Sequence, residues 1–388
     1  MNRTAVLAYS GGLDTSCAIA WLKEDYGFEE VVAVLVDVGQ EASFGPAVER
    51  GRLAGADDVL LLDRKEAFAE EQVAKALLAN ALYEGKYPLV SALSRPVIAE
   101  AVVHGCTGKG NDQLRFELAF KARYPGVTVI APLRDRVRTR DEEIAYAEAR
   151  GIPVEAKPES PYSVDDNLFG RAIEAGMLED PWTAPPEDAF VLTAAAADAP
   201  APVECVVAFE EGLPVALDCE ELPLDELVGV LNEQAGAYGI GRIDMIENRA
   251  VGIKSRELYE APAALTLIAA HRALEELVLT KGELEAKREL EPKWAKLVYD
   301  GGWFARLRNA YDAFFSATQQ LVTGEVRLSL QPGAPVVTGR RSEHALYSEE
   351  LASYGIGETF PHQAASGFIG ITALETQLVA ARDRVEVA

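Results

Sequence analysis

Ala8-Tyr9-Ser10-Gly11-Gly12-Leu13-Asp14-Thr15-Ser16 sets two adjacent glycines among three hydroxyls. The apolar run Ala5-Val6-Leu7-Ala8 leads into it, and Ala18, Ile19 and Leu22 follow at helical spacing. A strand, a Gly/Ser loop and a helix in that order make a phosphate cradle. The glycines let the backbone approach an anion, and the loop N–H groups and helix N-terminus present their positive ends to it. No Lys follows Gly12, so this is not a Walker A loop, and the Rossmann Gly-x-Gly-x-x-Gly is absent here too. By spacing alone the stretch also fits an ordinary strand–helix turn.

A second stretch runs His104-Gly105-Cys106-Thr107-Gly108-Lys109-Gly110-Asn111-Asp112-Gln113-Leu114-Arg115-Phe116-Glu117. Its three glycines make a close-approach loop, and Asn111 or Asp112 is placed to cap a following helix. Taken alone it reads as a capped turn whose polar residues face water. Yet Thr107, Lys109, Asn111, Asp112 and Arg115 crowd one turn. An amino-acid ligand needs an acceptor for its ammonium and donors for its carboxylate, and this loop holds both.

These stretches need elements to hold them. Val31-Val32-Ala33-Val34-Leu35-Val36 predicts a buried parallel strand, and residues 59–62 and 127–130 two more. Helices are expected over 46–55, 66–82, 96–103 and 140–150. Strands alternating with helices predict an open parallel sheet, with ligands at the carboxyl ends of its strands. Val36 is then either an adenine wall or plain core. Residues 183–202 are Ala/Pro-rich and read as an exposed connection with a short strand at Phe190-Val191-Leu192. A hairpin over 203–217, a helix over 224–235, a strand near 243–249 with an outward Glu-Asn-Arg, a helix from Pro262 and a hairpin over 326–337 predict an α+β second half. The expected domains are 1–165, 166–362 and 363–388. Ile371, Leu374, Leu378 and Ala381, after Gly355, Gly357, Gly367 and Gly370, form the stripe of a terminal helix that packs on its own domain or on a neighbour.

Composition narrows the class. The chain has 388 residues, 49% hydrophobic and 26% charged, with a formal net charge of -25. That charge opposes a nucleic-acid partner and an anionic membrane surface. Cys17, Cys106, Cys205 and Cys219 form no C-x-x-C pair, which argues against a zinc site and a disulfide framework. No signal peptide and no run of ~18 apolar residues is seen, so a cytoplasmic, soluble protein is expected.

The first stretch resembles Ser-Gly-Gly-x-Asp-Ser/Thr-Ser, the pyrophosphate loop of the N-type ATP pyrophosphatases, which split ATP between the α and β phosphates. Residues 104–117 are similar to Ser-His-Gly-Ala-Thr-Gly-Lys-Gly-Asn-Asp-Gln-Val-Arg-Phe-Glu, a hallmark of the argininosuccinate synthase family. Further marks of that family run along almost the whole chain: Tyr87 with Arg95-Pro96, Tyr162-Ser163-Val164-Asp165-Asp166-Asn167-Leu168, Leu178-Glu179-Asp180-Pro181-Trp182, and Glu247-Asn248-Arg249 through Tyr259-Glu260-Ala261-Pro262.

The resemblance implies an adenine nucleotide alpha hydrolase-like α/β domain, an α+β synthetase domain and a C-terminal arm that joins a homotetramer. It implies condensation of citrulline with aspartate through citrullyl-AMP, with ATP as co-substrate and Mg²⁺ carried by it. Ala8 through Ser16, Val36 and Gly105 would bind ATP. Thr107, Asn111 and Asp112 would bind aspartate. Tyr87, Asn111, Arg115, Ser163, Glu247 and Tyr259 would bind citrulline. Asp14, Ser16 and Asp112 would stand nearest the chemistry, with Asp14 either bracing its loop or facing the ion. His104 is expected to be structural. On the residues alone, a surface ion pair between Glu247 and Arg249 accounts for that segment better.

Two positions depart from the family pattern. Ala92 and Ala172 stand where many members carry Ser, which removes two hydroxyls from the expected citrulline site. Rival readings are a different pyrophosphatase-type synthetase, a tRNA-thiolating relative and a nucleotide sensor without chemistry. The missing glutaminase, the charge and the intact Thr107–Arg115 cluster oppose them in turn.

Overall fold

A run of six apolar residues has to be buried on both faces, and Val31 to Val36 are the middle of a sheet. Parallel strands β1 (Thr4–Ala8), β2 (Glu30–Asp37) and β3 (Asp58–Asp63) are ordered β1-β2-β3, with Leu7 opposite Ala33 and Val34 opposite Leu60. On the other side of β1, single parallel bridges join Leu7 to Val103 and Val103 to Ile130. The chain therefore moves outward in opposite directions on the two sides of β1. That makes the carboxyl end of β1 the switch point, where a crevice opens. The computed structural model describes residues 3–40, 44–99, 102–108, 110–136, 138–153, 162–353 and 360–385.

The strand expected at 127–130 is reduced to the Ile130 bridge. It lies between the turn at Tyr124–Val127 and Pro132, which has no N–H and opens the short helix Pro132–Asp135. The helix expected at 96–103 instead spans Val90–Ile98, with Pro96 inside it. Val90, Leu93 and Val97 are all buried, and that packing outweighs the usual reading of Pro as a first helical residue. Residues 100 and 101 of that expectation lie outside the described residues. Helices Leu13–Glu24, Phe44–Leu53 and Arg140–Ala149 flank the sheet, the last started by a Thr139–Glu142 capping box.

Two antiparallel sheets follow. Their strands are β4 (Ser163–Asn167), β5 (Gly170–Glu174), β6 (Val203–Glu210), β7 (Leu213–Leu217), β8 (Glu220–Glu221), β9 (Arg242–Asn248), β10 (Lys254–Glu260), β11 (Gly324–Gln331) and β12 (Ala334–Arg341). One sheet is ordered β4-β5-β10-β9 and the other β12-β11-β6-β7-β8. Register sets Tyr259 beside both Ala172 and Ile243. Residues 190–192 form no strand: the Glu260 carboxylate takes the N–H groups of Val191 and Thr193, at 2.9–3.0 Å, that a ladder would have used.

Helices Pro262–Val278, Lys281–Tyr299 and Arg306–Gln319 pack around a buried polar cluster. Asn80 donates to Glu275 (2.7 Å) and Glu291 (2.8 Å), and Lys287 reaches both carboxylates at 2.9 Å. His271 bonds Asn80 and Gln319 through its two ring nitrogens, each at 2.8 Å. Buried charges persist only when paired this closely.

Residues 1–344 form one unit and Ala345–Ala388 another. The second is built on the helix His362–Val385, whose Phe368, Ile369, Ile371, Leu374 and Leu378 are exposed. By length and composition His362–Arg384 is apolar enough to cross a membrane, although no single run predicted a span. Gly355 and Gly357 lie outside the described residues.

Lys287→Met leaves Glu275 and Glu291 buried without their ammonium. It is expected to lower the unfolding free energy by about 3–5 kcal/mol in urea titrations of the full chain. A loss below about 1 kcal/mol contradicts the assignment of this cluster as a buried charge balance.

Candidate functional site

β1 ends at Ala8, and the chain turns through Ser10, Gly11 and Gly12 into the helix Leu13–Glu24. Gly11 has φ +81°, and a Cβ there would lie 2.6 Å from the Ala47 Cβ, so only glycine serves. Gly12 stands at the helix start without a side-chain cap, leaving the first-turn N–H groups to a ligand. The hydroxyls brace the loop. Ser10 and Thr15 oxygens are 3.1 Å apart, and Ser16 Oγ donates to the Gly12 carbonyl at 2.7 Å and lies 3.1 Å from the Tyr9 phenol oxygen.

This loop borders a cavity of about 670 Å³, within the usual range for a small-molecule site. Ala8, Tyr9, Ser10, Gly12, Leu13, Asp14 and Thr15 line it, with Val36 and Gly105. Gly11 and Ser16 lie behind that lining, Ser16 wholly buried. Gly105 touches the loop: a Cβ on it would lie 2.8 Å from Thr15 Cγ2. Arg50, which donates to the Gly11 carbonyl, and Arg140 supply cationic walls.

A smaller cavity of about 250 Å³ adjoins it. Tyr87, Thr107, Asn111, Asp112, Arg115, Ser163, Glu247 and Tyr259 all line it. These residues come from the second sequence stretch, from β4, β9 and β10, and from the segment before the helix Val90–Ile98. Cys106, Asp112, Ser163, Asp165 and Glu174 line both cavities and form the wall they share. In that wall Arg95 pairs with Asp165 at 2.7 Å and donates to Asp112 Oδ2 through Nε (2.9 Å) and Nη2 (2.7 Å). Arg115 donates to Asp112 Oδ1 at 2.9 Å, and its buried Nη2 has no hydrogen-bond partner among the described residues. Lys109 lies outside the described residues.

Residues 4–153 match the model described as the argininosuccinate synthase N-terminal HUP domain, and residues 162–379 match the argininosuccinate synthase C-terminal domain. Argininosuccinate synthases of Brevibacillus brevis and Bacillus licheniformis are 51% and 50% identical, each over 97% of this chain and over 92% and 96% of their own length. The Bacillus subtilis protein of that name is 49% identical over 97% of this chain and 96% of its own.

The chain belongs to the argininosuccinate synthase family.

Several site residues of this family member stand differently from their sequence reading. Glu247 is not outward. Alternation along β9 buries Ile243, Met245 and Glu247 together, leaving Asp244, Ile246 and Asn248 on the other face. Tyr259 donates to Glu247 Oε2 at 2.6 Å, and Tyr299 donates to Oε1. Arg249 instead pairs with Glu174 and, at 2.9 Å, with Glu257. Asn111 stands at the helix start but does not cap it; its amide donates to the Tyr299 phenol (2.8 Å) and accepts from Ala250 N–H (2.8 Å).

Burial alone would raise the Asp112 carboxyl, but the Arg95 and Arg115 guanidiniums outweigh it and hold it at about 2. Burial raises Glu247, against the two phenol bonds and Arg115. Burial, with Glu174 and Glu247 nearby, pushes Glu257 up to about 8. Burial lowers His104 to about 4, and its Nδ1 accepts from Cys106 N–H at 3.2 Å, so this imidazole is neutral and structural. Arg95, Asp165, Glu174, Glu257 and Tyr299 were not among the predicted site residues. Ser163 and Asp165 share one strand face, a signal that was available. Tyr299 carries none, since it reads as the apolar end of a helix.

The Asp112 carboxyl sits below its ordinary range, so its stabilisation is complete above that range and is lost as pH falls through about 2. The stability deficit of Asp112→Asn should therefore be full at neutral pH and shrink between about pH 4 and pH 2. Thermal unfolding of parent and variant across that window checks it.

Proposed function

We propose that the two cavities divide the substrates of one reaction, with ATP in the larger and citrulline and aspartate in the smaller. The reaction is that of the family: ATP-dependent condensation of citrulline with aspartate to argininosuccinate, releasing AMP and pyrophosphate, a carbon–nitrogen ligation of arginine biosynthesis. The ureido oxygen of citrulline attacks the α-phosphorus and pyrophosphate leaves, giving citrullyl-AMP. The aspartate amine then attacks the activated ureido carbon, loses its proton and expels AMP. The observation that carries the assignment is the shared wall: an adenylylation needs the ureido oxygen beside the α-phosphate, and the two cavities meet at Asp112 and Ser163.

On this reading the uncapped helix start receives the phosphates, the Ser10 and Gly12 N–H groups being turned to the Thr15 and Ser10 hydroxyls at 3.4 and 3.3 Å. Ser16 positions that loop from beneath. Val36 and Gly105 border the nucleotide. Thr107, Asn111 and Asp112 take aspartate. Three bonds from Arg95 and Arg115 leave Asp112 one of its roughly four lone-pair positions, on Oδ1, for an ammonium. Tyr87, Asn111, Arg115, Ser163, Glu247 and Tyr259 take citrulline, with the unpartnered Arg115 Nη2 offering a donor. No protein nucleophile is required; positioning and charge stabilisation carry the chemistry. Mg²⁺ fits as a hard cation brought by ATP, with Asp14 as its protein carboxylate, and it would neutralise phosphate charge. The reading extends to a cytoplasmic homotetramer joined through the exposed apolar residues of His362–Val385, with no nucleic-acid or membrane partner. The net charge of -25 supports the last point.

Pyrophosphate release from Mg-ATP, with citrulline and aspartate omitted in turn, tests the reading. Sustained release that needs both, with equimolar AMP and argininosuccinate, is expected. ATP binding without release would favour a sensor, and release driven by another acceptor would replace the amino-acid assignment. Ala172 lines the smaller cavity beside Tyr259, so Ala172→Ser should restore a hydroxyl and lower KM for citrulline by about three- to ten-fold, one ordinary hydrogen bond. An unchanged KM in steady-state assays would remove Ala172 from the citrulline wall.

A further inference from the structure

Tyr299 ends the helix Lys281–Tyr299, is wholly buried and lines neither cavity. Three side chains of the smaller cavity nevertheless converge on it. Its phenol donates to Glu247 Oε1 and accepts from Asn111 Nδ2 at 2.8 Å. Its backbone carbonyl accepts from Arg115 Nε at 3.0 Å, and its ring lies under that guanidinium, 4.8 Å from Cζ to centroid. The ring has little freedom. It stacks on Tyr83 at 3.6 Å with planes 6° apart, and Tyr83 itself donates to the Asn248 carbonyl at 2.7 Å.

A phenol has one proton. Asn111 donates into a lone pair of the Tyr299 oxygen, so the Tyr299 proton points at Glu247. Asn111, Arg115 and Glu247 come from three different parts of the chain, and this residue is where their orientations are set against each other. We infer that Tyr299 is the positioning residue of the citrulline subsite, aiming Glu247 and Asn111 with its hydroxyl and Arg115 with its carbonyl and ring. The inference rests on citrulline occupying the smaller cavity.

Loss of the hydroxyl is local in its effect. Glu247 keeps the Tyr259 bond and Asn111 keeps the Ala250 bond. The groups facing Glu247 are Tyr259 and Glu257 from β10, Tyr83 and Tyr87 from the segment before the helix Val90–Ile98, Tyr299, Arg115 from the helix Asp112–Arg123, and Arg249. Removing one donor favours the protonated acid, so an acid limb governed by Glu247 moves to higher pH.

The test is Tyr299→Phe in the full chain, with each substrate varied and kcat/KM for citrulline followed against pH. KM for citrulline should rise roughly ten- to hundred-fold, the loss of a bond to a charged group, while KM for ATP stays within about two-fold. The acid limb for citrulline should move up. An unchanged citrulline KM, or an equal rise for all three substrates, overturns the inference. Glu247→Gln is the control. If it leaves citrulline KM unmoved, the site assignment fails; if it raises KM and Tyr299→Phe does not, only the positioning role fails. Should the Phe variant not fold, 3-fluorotyrosine at position 299 keeps the shape and makes a stronger donor. The acid limb must then move down, and an unmoved limb overturns the inference.

Discussion

Asp112 lies between two guanidiniums, and the site depends on that charge arrangement. Asp165, Arg95, Asp112 and Arg115 alternate in sign along one line of contacts at 2.7–2.9 Å. Separately each would be costly to bury; together two acids offset two bases. The line ties β4 to the helices Val90–Ile98 and Asp112–Arg123, so it fixes the wall that both cavities share. On the proposed reading, that wall sets where a ureido oxygen can meet an α-phosphate. A displacement of about 1 Å there would cost roughly a hundred-fold in rate.

The phosphate loop follows the same economy of parts. Its hydroxyls look like ligands in the sequence, yet they are engaged in holding the loop, Ser10 with Thr15 and Ser16 with the Gly12 carbonyl. What remains for an anion is the backbone N–H of the uncapped helix start. Such donors are rigid because they belong to β1 and the helix Leu13–Glu24, and Gly11 is pinned against Ala47. A loop built this way needs no lysine of its own.

The stretches 8–16 and 104–117 were legible as cavity walls because each is local: a few consecutive residues carry the glycines and the polar groups together. The run from Val31 to Val36 disclosed the sheet for the same reason. What stayed hidden is non-local. Ser163 and Tyr259 line one cavity because β5 pairs with both β4 and β10, a register that no single segment encodes. Glu247 was read as outward although Ile243 and Met245, four and two residues before it, already mark the buried face. Tyr299 is silent in the sequence because its role lies in residues 52 to 188 positions away. The missed helix at Val90–Ile98 shows local preference around Pro96 giving way to burial.

Charge also bears on how ATP enters. The larger cavity is lined by Arg50, Arg95 and Arg140, but also by Asp14, Asp112, Asp165, Asp166 and Glu174. Arg95 is already matched by Asp112 and Asp165. The lining's five carboxylates outnumber its three guanidiniums, so on the proposed reading a bare triphosphate meets a wall of like net charge, even with the N–H groups at the helix start. Among the described residues no cluster of three or more His, Cys, Asp or Glu could hold a metal by itself. On the proposed reading the compensating cation arrives on the nucleotide, and Asp14, which lines the cavity, would be a carboxylate available to it. On that reading, an acidic lining that opposes bare ATP would suit its magnesium complex better.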